Sequence, residues 1–210
     1  MKEIDATYDP SSSGGTGSRV PIEPGSYPAH VCGYSTREVN TKAGPATVVN
    51  LQYVVADEAK HQIQKMWDME GWTYKTDVNG DRIPLKNGSG EQLTTGCSHM
   101  VDKRFYGNGV FLFQGGGSSS KNRFYFEFLK ALGIATEEVE VDGKKVQKLM
   151  LVEEDDVIGL PCYVRIKREE WVDKKTNEKR GAWKANRVFP WTEGSRLSPE
   201  EVDPNADVPF

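Results

Sequence analysis

Between residues 46 and 56 the chain alternates. Val49, Leu51, Tyr53 and Val55 fall on one side of an extended backbone, with Asn50 and Gln52 on the other. A period of two marks a strand with one buried face and excludes an amphipathic helix here. The same period recurs at 27–35, where Tyr27, Ala29 and Val31 share a face. Pro24-Gly25 opens that strand, and Lys42-Ala43-Gly44-Pro45 turns the chain between the two. After a turn at Asp57-Glu58, a third strand is predicted over 62–70, with Ile63, Lys65, Trp67 and Met69 alternating against Gln64, Met66 and Asp68.

The period then changes. Residues 122–132 place Phe124, Tyr125, Phe128, Leu129 and Leu132 at helical spacing, with Asn122 as a cap and Gly133 as a stop. A charged linker or small hairpin around Val141-Asp142-Gly143-Lys144 follows. Ile158-Gly159-Leu160-Pro161 then leads into a fourth strand over 162–171, and the turn-rich 173–181 separates it from a fifth over 182–189. A mainly β chain with three strands, a helix and two more strands has the order of an OB-fold, a five-stranded Greek-key barrel. Residues 71–120, rich in Gly and aromatics, read as a long insertion that must pack in part, with 115–120 as a mobile loop. The division is therefore a flexible Ser/Gly/Thr-rich arm over 1–19, a domain over 20–191 and a disordered acidic tail over 192–210.

No apolar run approaches the roughly 18 residues of a membrane span, and no hydrophobic signal-peptide core opens the chain. Three separated cysteines, Cys32, Cys97 and Cys162, argue against a disulfide framework and for a reducing, intracellular compartment. The net charge of −4 conceals a segregation. Residues 198–210 hold Glu200, Glu201, Asp203 and Asp207 and no base; without them 27 bases balance 27 acids. Between 164 and 191 stand Arg165, Lys167, Arg168, Lys174, Lys175, Lys179, Arg180, Lys184 and Arg187 against Glu169, Glu170, Asp173 and Glu178, an excess of five positive charges. A basic region in a chain of opposite net sign is where a polyanion would bind.

Binding a single nucleic-acid strand without sequence preference needs a basic groove and aromatic faces for the bases. The fourth and fifth strands offer both. Tyr163, Arg165 and Lys167 alternate with core-facing Val164 and Ile166. Lys174, Lys175, Lys179 and Arg180 occupy the connecting loop, flanked by Trp171 and by Trp183 with Lys184. Arg37 and Lys42, between the first two strands, supply the opposite wall. Trp72, Tyr74 and Lys75, with Lys103, Arg104, Phe105 and Tyr106, form a further basic-aromatic cluster in the insertion. Trp67 and Phe128 are assigned to the core, and Trp191 to a plug at the barrel's end.

The segment from Asp203 through Asp207, Val208, Pro209 and Phe210 is acidic and proline-bearing and cannot bury enough apolar surface to fold alone. It resembles the acidic C-terminal tip of bacterial and phage single-stranded-DNA-binding proteins. That resemblance implies recruitment of a polymerase, helicase or recombinase, with the Phe ring in an apolar pocket and the carboxylate on a basic residue. Pro24-Gly25-Ser26-Tyr27-Pro28, Phe128-Leu129-Lys130-Ala131-Leu132-Gly133 and Ile158-Gly159-Leu160-Pro161-Cys162-Tyr163-Val164 follow one another at a spacing similar to that in a family of small phage proteins. Some members of that family are OB-fold single-stranded-DNA-binding proteins. The resemblance covers about residues 20–191 and implies a non-catalytic protein of the infected host cell's cytoplasm, acting in DNA replication, recombination or repair. Self-association stays open, as does a second reading, a protein-interaction adaptor built on the same barrel.

Enzyme and metal patterns fail residue by residue. In Asp77-Val78-Asn79-Gly80-Asp81, Arg82 replaces the glycine of a calcium loop and Gly88 its bidentate glutamate, leaving a turn. The stretch 115–121 lacks the Gly-Lys-Ser/Thr of a phosphate loop. His30-x-Cys32 and Cys97-x-His99 do not have zinc-finger spacing. No nucleophile set stands out among the three histidines, so no cofactor, metal or catalytic residue is assigned.

Overall fold

The computed structural model describes residues 22, 24–70, 73–114, 120–141 and 143–202. The arm over 1–19, most of the loop at 115–120, Trp72, and the tail residues Asp203, Asp207, Val208, Pro209 and Phe210 lie outside the described residues.

The protein is mainly β, built on one antiparallel sheet. Strands β1 (Gly25–Thr41) and β2 (Gly44–Val55) form a long hairpin paired from Ala29↔Val55 to Thr41↔Gly44. Short strands β3 (Ile63–Lys65), β4 (Met69–Glu70), β5 (Thr73–Tyr74) and β6 (Thr94–Gly96) follow, then β7 (Arg104–Tyr106) and β8 (Val110–Phe113), both paired to β2. Helix α1 (Arg123–Ala131), the hairpin of β9 (Glu137–Val141) and β10 (Lys144–Lys148), and the single turn α2 (Glu154–Val157) lead to β11 (Pro161–Val172) and β12 (Lys179–Pro190). The main sheet runs β12-β11-β1-β2-β7, with β8 also on β2. Its two edges meet through a parallel bridge, Gly107↔Ala185, sealed by the Asn108 N–H donating to the Ala185 carbonyl at 3.2 Å.

The inward period-two residues form the core. Tyr27, Ala29 and Val31 of β1, Val49, Leu51, Tyr53 and Val55 of β2, and Val164 and Ile166 of β11 are all buried, as the alternation predicts. Helix α1 covers this core with Tyr125, Phe128 and Leu129. The Tyr125 hydroxyl donates to the Met150 carbonyl (3.0 Å) and accepts from Val152 N–H (3.1 Å), so its burial leaves no orphaned polar atom. Phe124, expected on the same face, is 81% exposed. Asn122 precedes the helix without a side-chain capping bond and instead pairs with both backbone groups of Phe113, tying the helix to β8.

The expected third strand is placed differently. Residues 62–70 do not join the main sheet: β3 pairs with β6, and Ile63 is 74% exposed. The alternation there puts Lys65 among the apolar positions, so neither face is dry enough for the core. The third place beside β2 goes to β7 and β8, inside the stretch read as an insertion, with Phe105 buried. The excursion therefore spans the whole connection from β2 to β7. It is ordered by backbone bonds such as Asp68 N–H to Ile83 O (2.8 Å) and Leu93 N–H to Leu85 O (2.8 Å). Asp77 turns it by accepting the N–H groups of Asn79 and Asp81 at 2.9 Å each, the turn reading of this segment.

The start of the expected tail is also different. Trp191 is buried against His30 and Tyr163, with ring centroids 5.4 and 5.7 Å away. Beyond it, residues 192–202 strap back over the sheet. The Leu197 N–H reaches the Gly159 carbonyl at 3.0 Å, His30 Nε2 pairs with the Ser195 carbonyl at 3.1 Å, and Val202 is 2% exposed. The strap's apolar and aromatic anchors outweigh the charges of Glu200 and Glu201. Among the described residues no helix is long and apolar enough to cross a membrane.

Candidate nucleic-acid interface

Strand β1 stops pairing at Gly25↔Ile166, whereas β11 and β12 continue together to Val172↔Lys179. Their hairpin therefore projects past the sheet. Core-facing Val164 and Ile166 force Arg165 and Lys167 outward, and the antiparallel register sets Arg165 opposite Arg187 and Lys167 opposite Lys184. Like charges directly opposite on a sheet face are destabilising. The Lys167↔Lys184 pair is relieved by Glu169, which reaches Lys184 at 3.3 Å; the Arg165↔Arg187 pair has no ion-pair partner among the described residues and is the costly one.

The connection from β2 to β7 projects on the same side and makes the second wall. A groove of about 730 Å³ lies between Arg165, Lys167, Arg168, Glu170, Trp183, Asn186 and Arg187 of the hairpin, Pro24 to Ser26 at the start of β1, and Tyr74 and Arg82 of the connection. It holds five cationic side chains, one carboxylate and two aromatic rings. The Arg82 guanidinium sits 4.1 Å from the Tyr74 ring centroid and 5.8 Å from that of Trp67. Arg168 Nε lies 3.6 Å from Glu170.

Ion pairing decides which charges remain available. Lys184 Nζ is 3.3 Å from Glu169 and 6.0 Å from the half-exposed ring of Trp171. The Asn108 amide, donating to Glu169 at 3.0 Å, and then Lys184 hold the Glu169 carboxyl below its usual range. Arg180 pairs with Asp173 at 3.2 Å and approaches Glu178 at 3.9 Å. Arg165 and Arg187 are exposed and have no ion-pair partner among the described residues, whereas exposed Lys167 makes no ion pair but lies close enough to Glu169 to help stabilise its charge. Lys174, Lys175 and Lys179 are exposed at the hairpin tip, beyond the groove lining.

Of the residues predicted to contact a strand, the groove thus brings together Tyr74, Arg165, Lys167 and Trp183, with Trp171 and Lys184 on the same hairpin. Lys75 is held by Asp68 at 3.0 Å in a neighbouring cleft. Tyr163 packs on Trp191, so its ring is not an open stacking face. Arg37 and Lys42 sit toward the far end of β1 and in its turn to β2, away from the groove. Arg37 is opposite Val48, which is opposite Phe111. Phe111 and Phe113 stack with centroids 6.0 Å apart. Lys103, Arg104 and Tyr106 lie at or beside β7, with Tyr106 67% exposed next to the edge-closing Gly107. Sequence reasoning omitted Arg82, Arg168, Asn186 and Arg187. The two arginines of the hairpin stood in the counted basic stretch. Arg82 gave no signal, because only the tertiary approach of the two projections brings it to the groove.

Among the described residues no three His, Cys, Asp or Glu side chains cluster as a metal site. All three thiols are buried, and burial raises the Cys32 thiol to about 11. Comparison with known proteins gives no match to a family model, to a curated protein or to a solved structure.

Proposed function

We propose that this protein binds single-stranded DNA without catalysis, coating and protecting it during phage DNA replication, recombination or repair. The observation that carries the reading is the groove: Arg165 and Arg187, without an ion-pair partner among the described residues, stand beside Lys167 and Arg82, with Tyr74 and Trp183 within the same lining. Phosphates of a single strand would relieve the Arg165↔Arg187 repulsion, while each base stacked on a ring contributes about 1–3 kcal/mol. The fold belongs to the same proposal. Helix α1 lies between the third strand position and β11, and the sheet's edges join in parallel, an arrangement that supports an OB-fold barrel. Recruitment of replication or recombination proteins through Asp203, Asp207, Val208, Pro209 and Phe210 rests on their sequence.

Tryptophan fluorescence during titration with a thymidine oligonucleotide tests the proposal. Quenching is expected, with Trp183→Ala weakening binding about tenfold through a lost stacking face. Saturable binding to a protein partner with none to any oligonucleotide would favour the adaptor reading instead.

A further inference from the structure

The hairpin of β9 and β10 pairs from Lys144↔Val141 to Lys148↔Glu137 and joins no other strand among the described residues. Every side chain of β10 is exposed, and on β9 only Val139 is half-buried. None of these residues lines the basic groove. A two-stranded hairpin alone is marginally stable in water and gains from further strands beside it. Both of its outer edges carry unpaired backbone groups, and charge on such an edge is a common protection, because it repels the same edge of another copy. Here the two edges differ in sign. β9 carries Glu137, Glu138 and Glu140 and no base, whereas β10 carries Lys144, Lys145 and Lys148 and no acid. Like edges of two copies repel, but β9 of one copy attracts β10 of another. Within the hairpin, Lys145 Nζ lies 2.8 Å from Glu138 and Lys148 Nζ 3.3 Å from Glu137, exposed pairs that contribute little. Glu140 and Lys144 make no ion pair among the described residues. The strand period adds an apolar strip: Val139 stands opposite Val146, with Val141 on the same face, and Val141 and Val146 are exposed.

We propose that this hairpin is an interface between copies of the chain, with acidic β9 of one copy laid along basic β10 of the next. Stacked in this way, the hairpins continue one antiparallel sheet and their valine strips meet. The contact is head to tail, so each added copy presents a fresh edge and the row stays open. A two-fold dimer through like edges would set glutamate against glutamate or lysine against lysine. The interface does not depend on the single-strand reading, because the hairpin and the groove share no residue.

Sedimentation of the whole chain without nucleic acid tests the interface. The mass of wild type is expected to rise with protein concentration at low salt and to fall back toward the monomer at high salt. Glu138→Lys with Glu140→Lys turns the acidic edge basic, and Lys144→Glu with Lys145→Glu turns the basic edge acidic. Each double variant alone is expected to associate about tenfold more weakly than wild type. An equimolar mixture of the two is expected to recover association, which misfolded variants could not do. Both should melt as wild type does, because the hairpin lies outside the core. A wild type that stays monomeric at every concentration, variants that associate as strongly as wild type, or a mixture that stays apart would overturn the interface. Failure of wild type to bind an oligonucleotide would instead overturn the groove reading and leave this inference standing.

Discussion

At the scale of single residues, two kinds of group are held where stability alone would not put them. Arg165 and Arg187 face each other with no carboxylate at ion-pair distance among the described residues. Replacing Arg187 with Gln should raise stability slightly, by about 0.2–1 kcal/mol of relieved repulsion, and weaken oligonucleotide binding several-fold. Parallel urea melts and titrations would read the two opposite signs. His30 is the other case. Burial, partly offset by the Ser195 carbonyl and by Glu58 and Glu201, lowers its pKa below the usual 6.5. In that window the unfolded chain binds the proton first, so stability rises with pH. The contribution of neutral His30 is complete above about 6.5 and is lost as pH falls through the folded-state value; His99 is shifted the same way. The melting temperature should therefore drop between pH 7 and pH 5, and by less in His30→Gln. The outward set Arg165 and Lys167 was legible in sequence because the strand period fixes it. Arg82 and Asn186 were not, since one depends on a tertiary approach and the other on a bulge between Arg165↔Arg187 and Ile166↔Ala185 that leaves no mark on the alternation.

At the scale of elements, the long alternating strands declared themselves and the short ones did not. β1, β2, β11 and β12 carry enough period-two positions and flanking turn residues to be read locally, and α1 carries clear helical spacing between them. The third strand position is split between β7 and β8, and its pairing to β2 joins residues 50 (Val54↔Arg104) to 67 (Ala46↔Phe113) positions apart. Gly107 and Gly109 make that split workable. A Cβ at Gly107 would meet the Tyr53 ring at 2.9 Å, and one at Gly109 would overlap Val48. The strap over 192–202 was also hidden, because its charges suggest disorder and its anchors, Trp191 and Val202, are few. Gly159 is its keystone. With φ of +77°, it sits so near Leu197 that a Cβ would run into the Leu197 carbonyl. Gly159→Ala should cost about 2 kcal/mol or more, from backbone strain and displacement of the strap. A urea melt would check it, with an unchanged midpoint contradicting this account of the strap.

At the scale of the whole molecule, the sign of the net charge misleads and its distribution informs. The chain carries −4, yet the groove gathers five bases around one acid. The charge excess of 164–191 was visible in the sequence; that two projections from different parts of the chain close on it was not. On the proposed reading, the groove's cations take the backbone and its rings take the bases. The most direct measurement is the affinity for a thymidine oligonucleotide across a salt series. With Arg165, Lys167, Arg187 and Arg82 each on a phosphate, the logarithm of the binding constant should fall linearly with the logarithm of salt, with a slope of about −3. Absence of binding at low salt, or binding indifferent to salt, would contradict the account.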